Sequence, residues 1–385
     1  MSAFLPQNSR PWIKSYLEYA FKRKHKFLSY PDGGDRGVYK MAPTGSSQTV
    51  KLSIAGDWGT GTEEAWKVAC EISKFNPDYT VHLGDVYYVG DHSEMDENCL
   101  GLSAGGYQGV TWPRGSRGSF ALSGNHEMYA NGNAYFDKFL PTLGVPSSRD
   151  KTQLASFFCL EDDTWRILGL DTGYNSVGLP ILGQISLINK IPGVGADCKL
   201  EDALINWLRT TVRPTERPRA TILLTHHQYF SAFEGGYTRP AKQLMEFFPN
   251  QDLIWIWGHE HRCAVYGKYS DGAMNAYGRC QGHGGMPVDV KEPNQRARSA
   301  LQYYDNRTYQ RFDKLMVGFN GFVNLEIDGA TATFDYRDLE NKKLLVERFT
   351  VTAGKLAQTF VFVDPEMAKG PAAPTSQPEG KAVGV

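Results

Sequence analysis

The chain has 385 residues, enough for two to three domains at about 150 residues each, or for one large one. Its 41% hydrophobic and 22% charged residues exclude bulk disorder, and a formal net charge of -1 from 41 basic and 42 acidic side chains lacks the basic footprint of a nucleic-acid binder. The longest apolar runs, such as Leu253 to Trp257, are far too short to cross a bilayer, and the six scattered cysteines without a C-x-x-C pair read as free thiols in a reducing compartment.

No signal-type apolar stretch follows Met1, so a cytoplasmic location is expected unless the sequence is that of a mature form. Residues 11–28 have helical spacing, with Pro11 at the first turn and Trp12, Tyr16, Tyr19 and Ala20 recurring on one side. The basic cluster Lys22-Arg23-Lys24-His25-Lys26 follows. It reads either as the solvated end of a helix packed on the domain or as a docking helix for a membrane surface or partner. Gly, Pro and Ser over 31–48 indicate a loop, so 1–48 is expected to be an N-terminal extension.

Val50 to Ala55 reads as a buried strand ending at Gly56-Asp57-Trp58-Gly59. Thr60 and Glu63 predict a capping box that opens a helix through about Lys74. Tyr79 to Leu83 is a second strand, ending at Gly84-Asp85-Val86-Tyr87-Tyr88. Asp91 to Gly118 reads as a long Gly-rich insertion that overhangs a site, where Arg114 or Arg117 could meet a substrate anion, or else as a solvated loop. Ser119 to Leu122 ends at Gly124-Asn125-His126-Glu127, and Leu200 to Val212 reads as a surface helix with Leu204, Trp207 and Leu208 on one face. Thr221 to Leu224 ends at Thr225-His226-His227, and Leu253 to Trp257 at Gly258-His259-Glu260-His261. Phe322 to Ile327, Asp328-Gly329 and Thr331 to Tyr336 predict a hairpin with a type I′ turn. Leu344 to Val351 adds a third strand to this meander, which extends the second sheet. The main domain is thus expected over 49–363, with 364–385 as a disordered Pro/Ala/Gly-rich tail.

Five apolar strands each finish in a residue able to bind metal, and sites in open α/β sheets form at the carboxyl ends of strands. A lone Asp after a strand is commonly a cap, and a lone Gly-Asn-His is commonly a turn. His259 and His261 are more suggestive, because alternate residues of an extended segment face the same way. The ordered conjunction carries the argument. Asp57, Asp85, Tyr88, Asn125, His226, His259 and His261 are seven O and N donors, more than one four-coordinate ion uses. Two ions roughly 3.5–4 Å apart clamp the attacking and leaving oxygens of a phosphoryl transfer and acidify water to hydroxide at neutral pH. Asp85 is the natural bridge, since a carboxylate has two oxygens to share. Tyr88 is either a ligand or an aromatic packing residue beside Tyr87, and His227 is expected to point away from His226 as support.

The string resembles the calcineurin-like metallophosphoesterase superfamily, whose signature is D-x-H, G-D-x-x, G-N-H-[DE], H-x-x and G-H-x-H in that order. Here it runs from Asp57 to His261. Gly59 stands where the first motif usually carries a His. Tyr88, three residues after Asp85, resembles the purple acid phosphatase branch, in which a tyrosinate replaces that His. The resemblance implies an α/β fold, a four-layer αββα sandwich, here without a β-sandwich domain ahead of the first motif. It implies Fe(III) held by Asp57, Asp85, Tyr88 and His261, and Zn, Mn or Fe(II) held by Asp85, Asn125, His226 and His259. Three negative charges in the first set suit a hard trivalent ion. His126 would contact the phosphate or protonate the leaving group. The loop Gln228 to Gly236 has no further His for that proton, which leaves His283 and His92 as alternatives. The implied activity is hydrolysis of a small-molecule phosphate monoester. A cyclic-nucleotide or other phosphodiester is the second reading, and a metal-binding scaffold without catalysis the third. The oligomeric state is not encoded in these motifs.

Overall fold

Alternation along the strands divides their side chains between two faces, and that division builds the fold. Val50, Leu52 and Ile54 enter one core while Ala55 enters another. Ile222 and Leu224 oppose Leu223, and Ile254 and Ile256 oppose Leu253, Trp255 and Trp257. The computed structural model describes residues 18–19, 22–103, 108–177, 197–311 and 314–371. It arranges the long strands in two sheets.

The seven-stranded sheet runs, in spatial order, Lys355–Val363, Lys343–Thr352, Thr331–Asp338, Gly321–Asp328, Val50–Ala55, Tyr79–His82 and Gly118–Ala121. Its last three strands are parallel, with Leu52 opposite Tyr79 and Tyr79 opposite Gly118. At the middle of the nine-stranded sheet, Trp165–Gly169, Ala220–Thr225 and Asp252–Trp257 are also parallel. Leu52, Ile54, Ile222, Ile254 and Phe334 fill the space between the sheets. The helix Glu63–Phe75 covers the outer face of the first sheet through Val68 and Ile72. The helices Asp202–Trp207 and Thr238–Leu244 cover the second through Leu204, Trp207 and Leu244. This is the expected four-layer αββα sandwich. Contrary to expectation, the meander does not extend the second sheet but joins the sheet that carries the first three motifs, Gly321–Asp328 lying antiparallel to Val50–Ala55.

Several local expectations are corrected. The helix after the first motif is capped by Thr62, whose hydroxyl accepts from the Ala65 amide, and Thr60 in turn bonds the Thr62 hydroxyl. Asp91 to Gly118 is not all loop. Asp91 and Glu94 form a capping box that starts the helix His92–Asn98, and His92 is exposed on it. Arg114 donates to the Thr142 hydroxyl at 3.0 Å and Arg117 to the Pro43 carbonyl at 3.3 Å, so both guanidinium groups have structural partners. The hairpin pairs Asp328 with Thr331, which centres the turn on Gly329 and Ala330. Only Gly329 has positive φ, and a type I′ turn needs it at both central residues. In the expected tail, Ala368–Lys369 pairs with Tyr303 and Tyr304 at the edge of the larger sheet.

Of the expected N-terminal helix, 11–17, 20 and 21 lie outside the described residues, Glu18 and Tyr19 are helical, and the chain is irregular from Lys22 onward. The basic cluster is not wholly solvated. The Lys24 ammonium lies 3.6 Å over the Tyr174 ring and donates to its carbonyl, and the Tyr174 hydroxyl donates to the His25 carbonyl. The six cysteines are free, as expected, and all but Cys70 are buried. Among the described residues no helix is long and apolar enough to cross a membrane.

One ion pair joins the two sheets inside the core. Arg279 and Glu347 are fully buried and bidentate, with Nη2 to Oε2 at 2.6 Å. Tyr336 donates to Glu347 Oε1 at 2.6 Å, and Gln358 to Oε2 at 2.8 Å. Removing one partner strands the other charge. Glu347→Ala is therefore expected to cost about 3–5 kcal/mol, read from the urea midpoint of unfolding. A loss below about 1 kcal/mol would show that the guanidinium finds water or another acceptor.

Candidate metal centre

The five motif strands bring their carboxyl ends together, and the backbone turns sharply at three of the candidate ligands. Asp57, Asp85 and His259 all adopt left-handed conformations, with φ of 56°, 71° and 64°. Such strain in non-glycine residues persists only where surrounding structure enforces it. Here the amide of His259 donates to Asp57 Oδ2 at 2.7 Å and the amide of His126 to Asp85 Oδ1 at 2.9 Å, fixing both carboxylates. Gly124 must be glycine for the same reason, since a Cβ there would fall 2.0 Å from Asp85 Oδ1.

Asp57, Asp85, Asn125, His226, His259 and His261 converge. His226 Nε2 lies 3.3 Å from Asp85 Oδ1 and 3.2 Å from Asn125 Oδ1, and His259 Nδ1 lies 3.0 Å from that same amide oxygen. His226 Nδ1 donates to the Leu83 carbonyl at 2.9 Å, which turns Nε2 toward the cluster, the nitrogen an ion would take once its proton is displaced. His261 Nε2 lies 3.4 Å from Asp57 Oδ1.

The phenol in this cluster belongs to Tyr87, not to Tyr88. Tyr87 Oη is 2.7 Å from Asp57 Oδ1, 3.1 Å from Asp85 Oδ2 and 2.9 Å from His261 Nε2. The strand has ended and the chain turns here: Asp85 is left-handed, Val86 bridges Gly59, and the Tyr87 amide donates to the Gly59 carbonyl at 2.8 Å, which holds the Tyr87 ring at the cluster. Tyr88 is half-buried near Glu94 and contributes its backbone carbonyl, which accepts from His126 Nδ1 at 2.6 Å. That bond holds the proton on Nδ1 and leaves His126 Nε2 bare, 3.8 Å from Asp85 Oδ2.

His227 also departs from expectation. The chain bends after Thr225, whose hydroxyl donates to the His227 carbonyl. The His227 ring therefore packs 4.7 Å from His226 and 4.6 Å from His259 instead of pointing away. Its ligand nitrogen lies within 4.8 Å of those of His226 and His259. Thr172 holds its Nδ1 at 3.2 Å, a supporting contact. Glu127 was legible only as a motif letter. Its Oε2 accepts from the amides of Gly124 and Asp85, clamping the second motif to the third. His283 is buried behind the cluster against Gly321, with neither ring nitrogen hydrogen-bonded.

The electrostatics are those of a cation site. Asp57 and Asp85 are 0% and 1% exposed, and among the described residues no lysine or arginine pairs with either. Burial pushes the Asp85 carboxyl up, yet His226 and His126 hold it well below its ordinary range. Burial likewise lowers His226, but Asp85 outweighs it and raises the imidazole to about 9. Burial and then His226 push His259 down to about 4. Two buried carboxylates, one amide oxygen and a group of imidazole nitrogens are a donor set that a divalent or trivalent ion fits.

The fold and this cluster define a layered α/β protein with a polar, metal-ready centre where two sheets meet. The profile of the calcineurin-like phosphoesterase family matches residues 50–263. The chain belongs to that family. The structure of PhoD is 11% identical, with a TM-score of 0.50, covering 84% of this chain and 74% of PhoD. GAP50, described as the anchor in the inner membrane complex of Plasmodium, is 13% identical at a TM-score of 0.48, covering 80% of this chain and 90% of its own. At these identities the likeness to PhoD concerns the fold alone, and none of the curated proteins matches the chain.

Proposed function

We propose that this chain is a dinuclear metal-dependent phosphomonoesterase of the purple acid phosphatase type. The supporting observation is the convergence of Asp57, Asp85, Asn125, His226, His259 and His261 on one point where, among the described residues, no lysine or arginine pairs with either carboxylate. Asp57, Asp85, Tyr87 and His261 would hold Fe(III), and Asp85, Asn125, His226 and His259 would hold Zn, Mn or Fe(II). When bound, such ions supply charge neutralisation at phosphoryl oxygens and an acidified water. The protein's own work is orientation and proton transfer. The amides of His126 and His259 aim the two carboxylates, and Leu83 orients the ring of His226. His126, held by Tyr88 with Nε2 toward Asp85, is placed to touch the phosphate, or to pass a proton to the leaving oxygen once Nε2 has taken one up.

Metal analysis of the purified protein beside a panel of phosphate esters tests this reading. Two bound ions with monoester turnover support it. Two ions with turnover confined to cyclic or other diesters make it a phosphodiesterase. Two ions and no turnover make it a scaffold. His126→Ala separates ligand from catalyst. It is expected to keep both ions and lower kcat by on the order of 10²–10⁴, the range for a lost acid–base or positioning group. Loss of metal would make His126 a ligand instead.

A further inference from the structure

We infer that Glu260 and Ser231 form a buried brace that positions the metal-binding histidines, an inference that rests on the two-metal reading above. Glu260 lies between His259 and His261, whose rings face the cluster, and its own side chain runs to Ser231. The Ser231 hydroxyl donates to Glu260 Oε2 at 2.6 Å, and both residues are buried. The same hydroxyl oxygen accepts from the amides of Phe233 and Glu234, at 2.9 and 3.2 Å. It thereby gathers the loop that continues from His226 and His227. This side-chain hydrogen bond ties the segment after the fourth motif to the middle of the fifth, beside the backbone bond from the Gly258 amide to the His226 carbonyl.

The fifth motif needs such a tie because its backbone has little support of its own. His259 is left-handed, and within the turn the backbone bonds run from the Glu260 amide to the Gly258 carbonyl and from the Arg262 amide to the Glu260 carbonyl, each at 2.7 Å, with the Gly258 amide donating to the His226 carbonyl at 3.0 Å ahead of it. Three-residue turns of this kind are weak holds for a ligand pair. From the neighbouring strand, the Cys280 thiol reaches the carbonyls of Glu260 and Arg262, both at 3.3 Å. Arg262 lies over the Phe233 ring at 4.1 Å, with Nε 3.7 Å from Glu260 Oε2, so the serine loop and the histidine turn touch twice. Groups that orient ligands from behind typically change metal affinity by about 10–100-fold when removed. Glu260 and Ser231 are positioning residues of this kind.

The test is metal retention against a graded chelator, measured by elemental analysis on folded protein, for wild type, Ser231→Ala, Glu260→Ala, Glu260→Gln and the Ser231→Ala/Glu260→Ala double variant. Each alanine variant is expected to release metal at about 10- to 100-fold lower chelator. The double variant should be no worse than either single one, and Glu260→Gln, whose amide oxygen can still accept from Ser231, should retain metal as wild type does. Wild-type retention in both alanine variants overturns the brace. So does a double variant whose loss is the product of the singles, or a glutamine variant as weak as alanine. If Glu260→Ala does not fold, Ser231→Ala, which removes a single oxygen, decides alone. Wild type that binds fewer than two ions defeats the two-metal reading instead, while the variant ratios still report on the brace.

Discussion

Asp85→Asn is expected to release metal and remove nearly all phosphoesterase turnover. The substitution keeps size and shape and removes one charge and one acceptor. That acceptor has much to do. Asp85 Oδ1 faces the His126 amide and His226 Nε2, and Oδ2 faces the Tyr87 hydroxyl and His126 Nε2. An amide nitrogen at the Oδ1 position meets the His126 amide, which requires an acceptor, and at either position it cannot bind an ion. Among the described residues no other carboxylate touches both His226 and Tyr87, so none of them replaces the bridge. Loss of several kcal/mol of transition-state charge stabilisation corresponds to a fall on the order of 10³-fold or more. The electrostatics of the metal-free protein should change too. Asp85 is the main group that raises His226 to about 9, so the imidazole pKa should fall in the variant, a shift visible by NMR titration. Elemental analysis and a chromogenic phosphate ester give the primary readout. An Asp85→Asn protein with two bound ions and ordinary turnover sinks the two-metal proposal.

The ligand set was legible because its signal is repeated. Five largely apolar strands end just before Asp57, Asp85, Asn125, His226 and His259, and parallel strands in a layered sheet deliver such ends to one place. The layers were legible from the same alternation, as Ile222 and Leu224 against Leu223 show. What failed was local geometry beyond the strand ends, where no periodic pattern survives. His227 converges because the chain bends at Thr225, and that bend is a side-chain hydrogen bond that no spacing rule contains. The helix in the 91–118 segment was missed although Asp91 and Glu94 are a capping box in plain view, because Gly-rich composition outweighed a short cap signal. Ala368–Lys369 was missed because a two-residue edge strand takes its hydrogen bonds from Tyr303 and Tyr304, far away in sequence. The brace at Ser231 and Glu260 is likewise a contact between residues 29 apart, invisible to any window along the chain.

The assignment of the phenol separates the two tyrosines by experiment. Tyr87→Phe is expected to abolish the visible charge-transfer absorption of oxidised, iron-loaded protein, whereas Tyr88→Phe should leave the colour in place. The motif offset alone favours Tyr88, but offset counts residues and not directions. Tyr87 is two residues from Asp85, and its hydroxyl is shared among Asp57, Asp85 and His261, all of them candidate ligands. In the metal-free cluster, burial and the two carboxylates push that hydroxyl well above its ordinary range, so it stays protonated between them. A trivalent ion in the same place reverses the balance, since two carboxylates and a phenolate offset its charge where two carboxylates and a proton do not. Tyr87→Phe keeps the ring, which packs 4.2 Å from His126, and removes only the oxygen. The fold should hold, iron should wash out more readily, and His261 should lose its partner at 2.9 Å. Tyr88→Phe leaves intact the backbone carbonyl that orients His126, so kcat should change little. Bleaching by Tyr88→Phe with colour retained in Tyr87→Phe would reverse the assignment. A colourless iron-loaded wild type would remove tyrosinate from the centre altogether and leave a phosphoesterase that works with divalent ions at both positions.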